Sequence, residues 1–181
     1  IGMGDNLELS DRFGVRTPMQ WSAAKNAGFS TADPSKLLLP VIEDPRYSPA
    51  VVNVEVQEND EYSQLNWMRR ILNLRAAHPV FGNGSINFLE PANQKILAYV
   101  RENVEEKVLV IANLASTNEQ VDLDLSSYAG APLMDLLTDS KLGVASEFAQ
   151  SFNLPPHGFL WIQIGTKIVH RPSLRVFGWT N

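Results

Sequence analysis

Ile96-Leu97-Ala98-Tyr99-Val100-Arg101 and Lys107-Val108-Leu109-Val110-Ile111-Ala112-Asn113 decide how this chain folds. Both runs are dense in branched and aromatic residues, and an Asn/Glu-rich turn separates them, so they read as a β-hairpin. Working outward, the same signal recurs. Ser85-Ile86-Asn87-Phe88 follows a Gly82-Asn83-Gly84 turn, and Gln120-Val121-Asp122-Leu123-Asp124-Leu125 alternates cleanly. Leu133-Met134-Asp135-Leu136-Leu137, Ser151-Phe152-Asn153-Leu154 and Gly158-Phe159-Leu160-Trp161-Ile162-Gln163-Ile164 complete the set. Roughly seven short strands punctuated by turns predict an antiparallel β-sandwich over residues 81–165. Tyr99, Phe152, Phe159 and Trp161 are expected in its core. Pro155-Pro156-His157-Gly158 reads as a tight turn. With no Ser, Cys or metal-ligand partner nearby in sequence, His157 is a turn histidine and not a catalytic base.

Before the strands comes a helix. Asp60 is its expected N-cap, with Glu61 in the first turn. Leu65, Met68, Ile71, Leu72 and Leu74 form an apolar face, and Arg69, Arg70 and Arg75 lie mostly on the polar side. Basic residues and His78 gather at the C-terminal end, where the helix dipole favours them, and Pro79 ends the helix. The arginines read as a solvated or dipole-compensating face, with anion binding as the functional alternative.

Residues 1 to about 58 sustain neither a helical nor an alternating period, and Pro34, Pro40, Pro45 and Pro49 are spaced through them. They read as a long irregular loop, which is uncommon unless functional. Its densest chemistry is Arg16-Thr17-Pro18-Met19-Gln20-Trp21, preceded by Asp11-Arg12 and followed by Asn26-Ala27-Gly28-Phe29. Pro18 fixes its own φ and biases Thr17 toward an extended conformation. A planar guanidinium, an amide and an indole on a rigid loop suit sugar recognition. The same residues also fit a purely structural loop, with Arg16 in an ion pair and Trp21 in a core.

Composition excludes several classes. At 44% hydrophobic and 19% charged residues, the chain has the means for a packed core, so disorder is not indicated. A net charge of −5 leaves no cationic excess to neutralise phosphates, which argues against nucleic-acid binding. No apolar run approaches the ~18 residues of a membrane span. Zero cysteines exclude disulfides and thiolate metal sites, and are compatible with a cytoplasmic location. No phosphate loop, Ser-His-Asp set or dense His/Asp cluster is visible, so neither cofactor nor metal is expected. Asn83-Gly84-Ser85 matches a glycosylation sequon, a weak signal by itself.

Ile1-Gly2-Met3-Gly4-Asp5-Asn6 and Asp11-Arg12-Phe13-Gly14-Val15-Arg16-Thr17-Pro18-Met19-Gln20-Trp21-Ser22 resemble the trehalose synthases of the α-amylase superfamily (glycoside hydrolase family 13). The likeness continues through Asn26–Ser30, Asp44-Pro45, Val52–Glu55, Leu65-Asn66-Trp67-Met68-Arg69-Arg70 and His78–Gly82. It then thins to a shared strand pattern as far as about Ile164. Oligo-1,6-glucosidases share the Arg-Thr-Pro-Met-Gln-Trp block, whereas the Gly-Met-Gly-Asp-Asn opening and the Asn-Trp-Met-Arg-Arg helix favour trehalose synthase.

The resemblance implies an organisation. Ile1 corresponds to the family's interior just after the eighth barrel strand. A complete (β/α)8 barrel needs ~250 residues, against 181 here in total. The expected architecture is therefore mainly β, an antiparallel C-terminal β-sandwich preceded by a long loop and the last helix of an incomplete (β/α)8 barrel. Residues 1–80 would be the barrel remnant, 81–165 the sandwich, and 166–181 a tail of unknown role. The helix face that normally packs on barrel strands would be exposed, or covered by self-association.

The resemblance also implies a chemistry. Retaining glycosidases use a nucleophilic carboxylate and a second carboxyl as acid/base; in this superfamily these lie on earlier barrel strands. Asp5, Glu8, Asp11, Asp33 and Glu43 match none of those motifs, so no catalytic residue is assigned. In the related glucosidases the arginine of the block helps close the blind end of the glucose subsite. That role carries over to Arg16, with Asp11 and Arg12 as secondary substrate-binding candidates. Phe13 departs from the polar residue usual at its position, which puts direct sugar contact there in doubt. Gln20 and Trp21 are expected to support the loop. The implied reaction interconverts maltose and trehalose by intramolecular transglucosylation, and the chain by itself is expected to be inactive. Two alternatives stay open: part of an α-glucosidase hydrolase, or a non-catalytic module whose sandwich binds polysaccharide or a sister subunit as a homo-oligomer.

Overall fold

A computed structural model describes residues 1–166; the tail expected over 166–181 lies, after Thr166, outside the described residues. The chain forms two compact units, Ile1–Asn73 and a second beginning at Leu74.

Among the described residues the second unit holds eight strands. They are β1 (Ser85–Leu89), β2 (Ile96–Glu102), β3 (Lys107–Asn113), β4 (Glu119–Leu123), β5 (Pro132–Asp135), β6 (Ser140–Val144), β7 (Gln150–Leu154) and β8 (Phe159–Ile164). Six form one sheet in the order β1-β2-β3-β8-β5-β6, and β4 pairs with β7 in a second. Every pairing is antiparallel. The β2–β3 hairpin forms as expected, with Ile96 opposite Asn113 and Glu102 opposite Lys107. In its turn the Asn103 side-chain oxygen accepts the amides of Glu105 and Glu106 at 2.9 and 2.8 Å.

Alternation aims one set of side chains between the two sheets. Ile96, Ala98, Val100, Leu109, Ile111 and Ile162 of the large sheet pack with Val121, Leu123, Phe152 and Leu154 of the small one. This is the sandwich core. On the opposite face of the large sheet, Val108 and Val110 pack with Val80 and Leu136. Tyr99 and Trp161 adjoin this second cluster and are only half-buried. Phe159, also half-buried, lies on the same face, two residues from Trp161. Of the four aromatics expected in the core, only Phe152 is there; the other three alternate to the outer face.

Strand β6 is absent from the sequence expectation because all five of its residues are exposed. An edge strand that buries nothing carries no period-2 signal. The strand expected over Gln120–Leu125 ends at Leu123, although Leu125 is fully buried. The alternation of apolar residues outlasts the extended backbone, because Leu125 turns out of the sheet at φ −112°, ψ 16°.

Helix α1 (Val54–Glu58) lies within the stretch read as an irregular loop, and so do three 3-10 turns. Asn53 caps α1 by accepting the Val56 amide at 2.8 Å. Helix α2 (Gln64–Ala77) is the expected helix, but Asp60 does not cap it. Asp60 instead accepts the Tyr62 amide in a local turn, and Ser63 Oγ accepts the Asn66 amide at 3.2 Å. The cap is set three residues later because Ser63 also donates to the Gln57 carbonyl, fixing the entry to the helix. On α2, Met68 is 43% and Leu72 56% exposed while Leu65, Ile71 and Leu74 are half-buried, so the apolar face is only partly open to solvent. Arg69 pairs with Glu58 at 2.7 Å, in keeping with a solvated role for that arginine.

Past α2, a buried polar contact joins His78 and Glu106. Glu106 buries its side chain completely, with Oε2 2.8 Å from His78 Nδ1 and Oε1 accepting the Val80 amide at 3.1 Å. It thereby satisfies an early amide of α3 (Val80–Asn83), one of the donors a helix N-terminus leaves open. His157 occupies the tight turn read from sequence, at φ 54°, donating its amide to the Ala115 carbonyl.

Candidate functional site

The Arg16–Trp21 block lies in the first unit. It begins where the 3-10 turn Asp11–Val15 ends, with the Arg16 amide donating to the Phe13 carbonyl at 3.1 Å. Gly14 is buried there against the main chain of Asn6. Its carbonyl accepts the Asn6 amide at 3.0 Å, and a Cβ on Gly14 would sit 2.4 Å from the Asn6 oxygen. Only glycine permits that approach.

At the other end the block is tied down by Gln20, which is 0% exposed. Its Nε2 donates to the carbonyls of Tyr47 and Val52. Its own carbonyl accepts the Val54 amide at 2.9 Å, and the Trp21 carbonyl accepts the Glu55 amide at 3.0 Å. The Trp21 and Ser22 amides both donate to the Ala27 carbonyl, at 2.8 and 3.1 Å.

Ala27 belongs to a run of left-handed residues: Asn26, Ala27 and Gly28 have φ of 52°, 59° and 69°. Such a run costs energy for residues other than glycine. The Asn26 amide group offsets that cost by donating to the carbonyls of Ser30 and Ala32 at 2.8 and 2.9 Å.

The three substrate-binding candidates are on the surface. Arg16 is exposed, and no side-chain ion pair forms on it among the described residues. Asp11 and Arg12 face each other at 3.9 Å with side chains 73% and 66% exposed, too open for their attraction to matter for stability. Asp11 adopts φ 53°. The structure therefore brings Asp11 and Arg12 together and leaves Arg16 projecting alone. Trp21 is 51% exposed, so the core placement is not where its indole lies.

A cleft of about 810 Å³ opens elsewhere in this unit, between Asp5–Leu9 and Pro40–Arg46. None of Asp11, Arg12 and Arg16 lines it. Its Asp44 is held by Arg46, Nη2 to Oδ2 at 2.8 Å and Nε to Oδ1 at 3.1 Å. Those bonds push the Asp44 carboxyl down to about 2, so it stays ionised and cannot serve as a proton donor near neutral pH. No group of three or more His, Cys, Asp or Glu that could hold a metal occurs among the described residues. No described helix is long and apolar enough to cross a membrane.

Sequence reasoning had Gln20 as a loop support without identifying what it supports. Its partners are main-chain carbonyls 27 and 32 residues away. Backbone acceptors leave no mark in a sequence. A buried amide beside a proline-fixed turn was the only available signal.

Comparison with known proteins adds an independent line. The family described as "Alpha amylase, catalytic domain" matches residues 4–84. "Maltogenic Amylase, C-terminal domain" matches residues 86–161. The trehalose synthase/amylase TreS of Mycobacterium tuberculosis is 39% identical over 175 residues, covering 95% of this chain and 29% of that protein. The trehalose synthase of Thermus thermophilus is 41% identical over 176 residues, 96% of this chain and 18% of that protein. Among solved structures, the trehalulose synthase MutB from Pseudomonas mesoacidophila MX-45 superposes with a TM-score of 0.63 at 27% identity, over 88% of this chain and 27% of that one. This chain thus spans less than a third of the length of these relatives.

Proposed function

The chain belongs to the α-amylase family, glycoside hydrolase family 13, and from that premise we propose that it is part of a trehalose synthase whose complete polypeptide interconverts maltose and trehalose. The observation that carries this reading is the extent of the trehalose synthase likeness, which runs through both units over 95% of the chain.

In this reading the reaction is an intramolecular transglucosylation. A carboxylate outside this chain attacks the anomeric carbon of the non-reducing glucose of maltose, giving a covalent glucosyl-enzyme. A second carboxyl protonates the departing glucose. The released glucose stays enclosed, turns, and attacks through its anomeric hydroxyl with net retention, yielding trehalose. Water reaching the intermediate gives glucose instead, so closure of the cavity governs the product as well as affinity.

Arg16 contributes to the wall of the glucose cavity, donating to outer hydroxyls of the bound glucose through its planar fork. An exposed guanidinium on a loop fixed at both ends suits that task. Asp11 and Arg12 set the approach to it. The chain by itself has no catalytic pair assigned and is inactive; the complete enzyme works in the cytoplasm without a cofactor.

The test uses the complete polypeptide with maltose as substrate. Trehalose as the main product is expected, with glucose as the minor one. Glucose alone would replace this reading with the hydrolase one. Arg16→Ala should lower kcat/KM by on the order of tenfold or more, the loss of one charge-assisted hydrogen bond. Unchanged kinetics would remove Arg16 from the site.

A further inference from the structure

We propose that Gln20 is the positioning residue for Arg16, an inference that rests on the reading of Arg16 as part of the glucose cavity. Among the described residues the Arg16 side chain makes no ion pair or hydrogen bond to hold it, so its placement depends on its backbone. That backbone is a short span between two anchors. Upstream, Gly14 is locked against Asn6, the Asn6 amide donating to its carbonyl at 3.0 Å. Downstream, Gln20 is wholly buried and clamps the carbonyls of Tyr47 and Val52 with the two hydrogens of one amide nitrogen. Pro18, also buried, restricts the torsions between the anchors.

The clamp explains why an amide stands here. Two carbonyl oxygens need two donors converging from one atom, which a carboxylate, a hydroxyl or an apolar side chain cannot supply. The Gln20 main chain extends the attachment, because Val54 and Glu55 at the start of α1 donate to the carbonyls of Gln20 and Trp21. Gln20 therefore couples the block to Tyr47–Glu55 rather than touching sugar.

One detail separates positioning from bulk stability. Gln20 Oε1 is buried without a hydrogen-bond partner among the described residues. Replacing Gln20 with Met leaves two carbonyls undonated but also removes that unpartnered acceptor, so the cost to folding is partly offset. The loss of register at Arg16 is not offset. Misplacement of a site group by about 1 Å can cost on the order of a hundredfold in rate.

The experiment is a double-mutant cycle in the complete polypeptide with maltose: Gln20→Met, Arg16→Ala and the pair together. Measured are kcat, KM, the trehalose-to-glucose ratio and Tm. Gln20→Met is expected to lower kcat/KM at least tenfold and to raise the glucose share, with Tm within a few degrees of the parent. In the Arg16→Ala background it should cause no further loss. If Arg16→Ala is impaired but Gln20→Met is silent, or lowers activity by the same factor in both backgrounds, the positioning role is overturned while the Arg16 reading stands. If Arg16→Ala matches the parent, the site reading itself fails and this inference falls with it. Should Gln20→Met not fold, Gln20→Asn takes its place in the cycle, keeping an amide donor but withdrawing it by one methylene from the two carbonyls, with the same outcomes deciding.

Discussion

Removing the Glu106 carboxylate should loosen the β-sandwich far more than its place in a polar turn suggests. The side chain is 0% exposed, and it satisfies two buried groups at once, the Val80 amide at 3.1 Å and His78 Nδ1 at 2.8 Å. Val80 is itself fully buried and belongs to the cluster behind β3. In Glu106→Ala neither group can turn to water. Each stranded buried polar group costs about 1–3 kcal/mol, and here two are stranded. A loss of about 2–6 kcal/mol is therefore expected. Glu106→Gln keeps one acceptor oxygen and the volume, and should cost about 1 kcal/mol.

Because the chain has two compact units, a single unfolding curve is not assured to be two-state. Amide hydrogen exchange of β2 and β3 reports the second unit directly. At about 1.4 kcal/mol per factor of ten, Glu106→Ala should lower protection from roughly thirtyfold to on the order of ten-thousandfold, and Glu106→Gln by less than about tenfold. His78→Ala combined with Glu106→Ala should be less damaging than the sum of the two, since each single change already removes the shared contact. Protection in Glu106→Ala within threefold of the parent, or equal to that in Glu106→Gln, would refute the reasoning.

Other outcomes follow from burial and charge. Leu109→Ala or Ile111→Ala, each deleting a side chain 0% exposed between the sheets, should cost about 2–5 kcal/mol by urea unfolding, whereas Leu38→Ala, at a residue 93% exposed, should stay within about 0.5 kcal/mol. Hydrogen bonds from Lys95, Thr117 and Asn93 pull the Glu119 carboxyl from 4.5 down to about 2. Its folded value lies below its unfolded one, so its contribution is present above pH 4.5 and lost as pH falls toward 2. The stability gap between the parent and Glu119→Gln should therefore narrow over that acid range in urea midpoints, and a widening gap would contradict the assignment.

Where apolar side chains alternate between a buried and an open face, the fold was legible. Ile96, Ala98 and Val100 mark β2 by alternation, while β3 buries both faces and reads as a continuous apolar run. The misses share one cause, that burial and backbone geometry can part company. β6 has strand geometry without burial, Leu125 has burial without strand geometry, and Trp161 and Tyr99 are large apolar residues serving the outer face. Asp60 and Ser63 are both good caps by type, and contacts such as the Ser63 Oγ bond to the Gln57 carbonyl select between them.

For the candidate site the division runs along a different line. Arg16 is marked by residue type and by its family context, because a guanidinium in that block is a chemical feature of the side chain itself. On the proposed reading, what holds Arg16 is a matter of main-chain atoms: the Asn6 amide on the Gly14 carbonyl, and the carbonyls of Tyr47 and Val52 on Gln20. Every residue but proline carries the same backbone donor and acceptor, so sequence cannot say which carbonyl a buried amide will find. The consequence is asymmetric. Substituting a partner such as Tyr47 leaves its carbonyl in place and should leave the clamp intact, while substituting Gln20 removes it. Where a site is held by main-chain acceptors, sensitivity to mutation concentrates on the donor side chain, and in this chain that donor is Gln20.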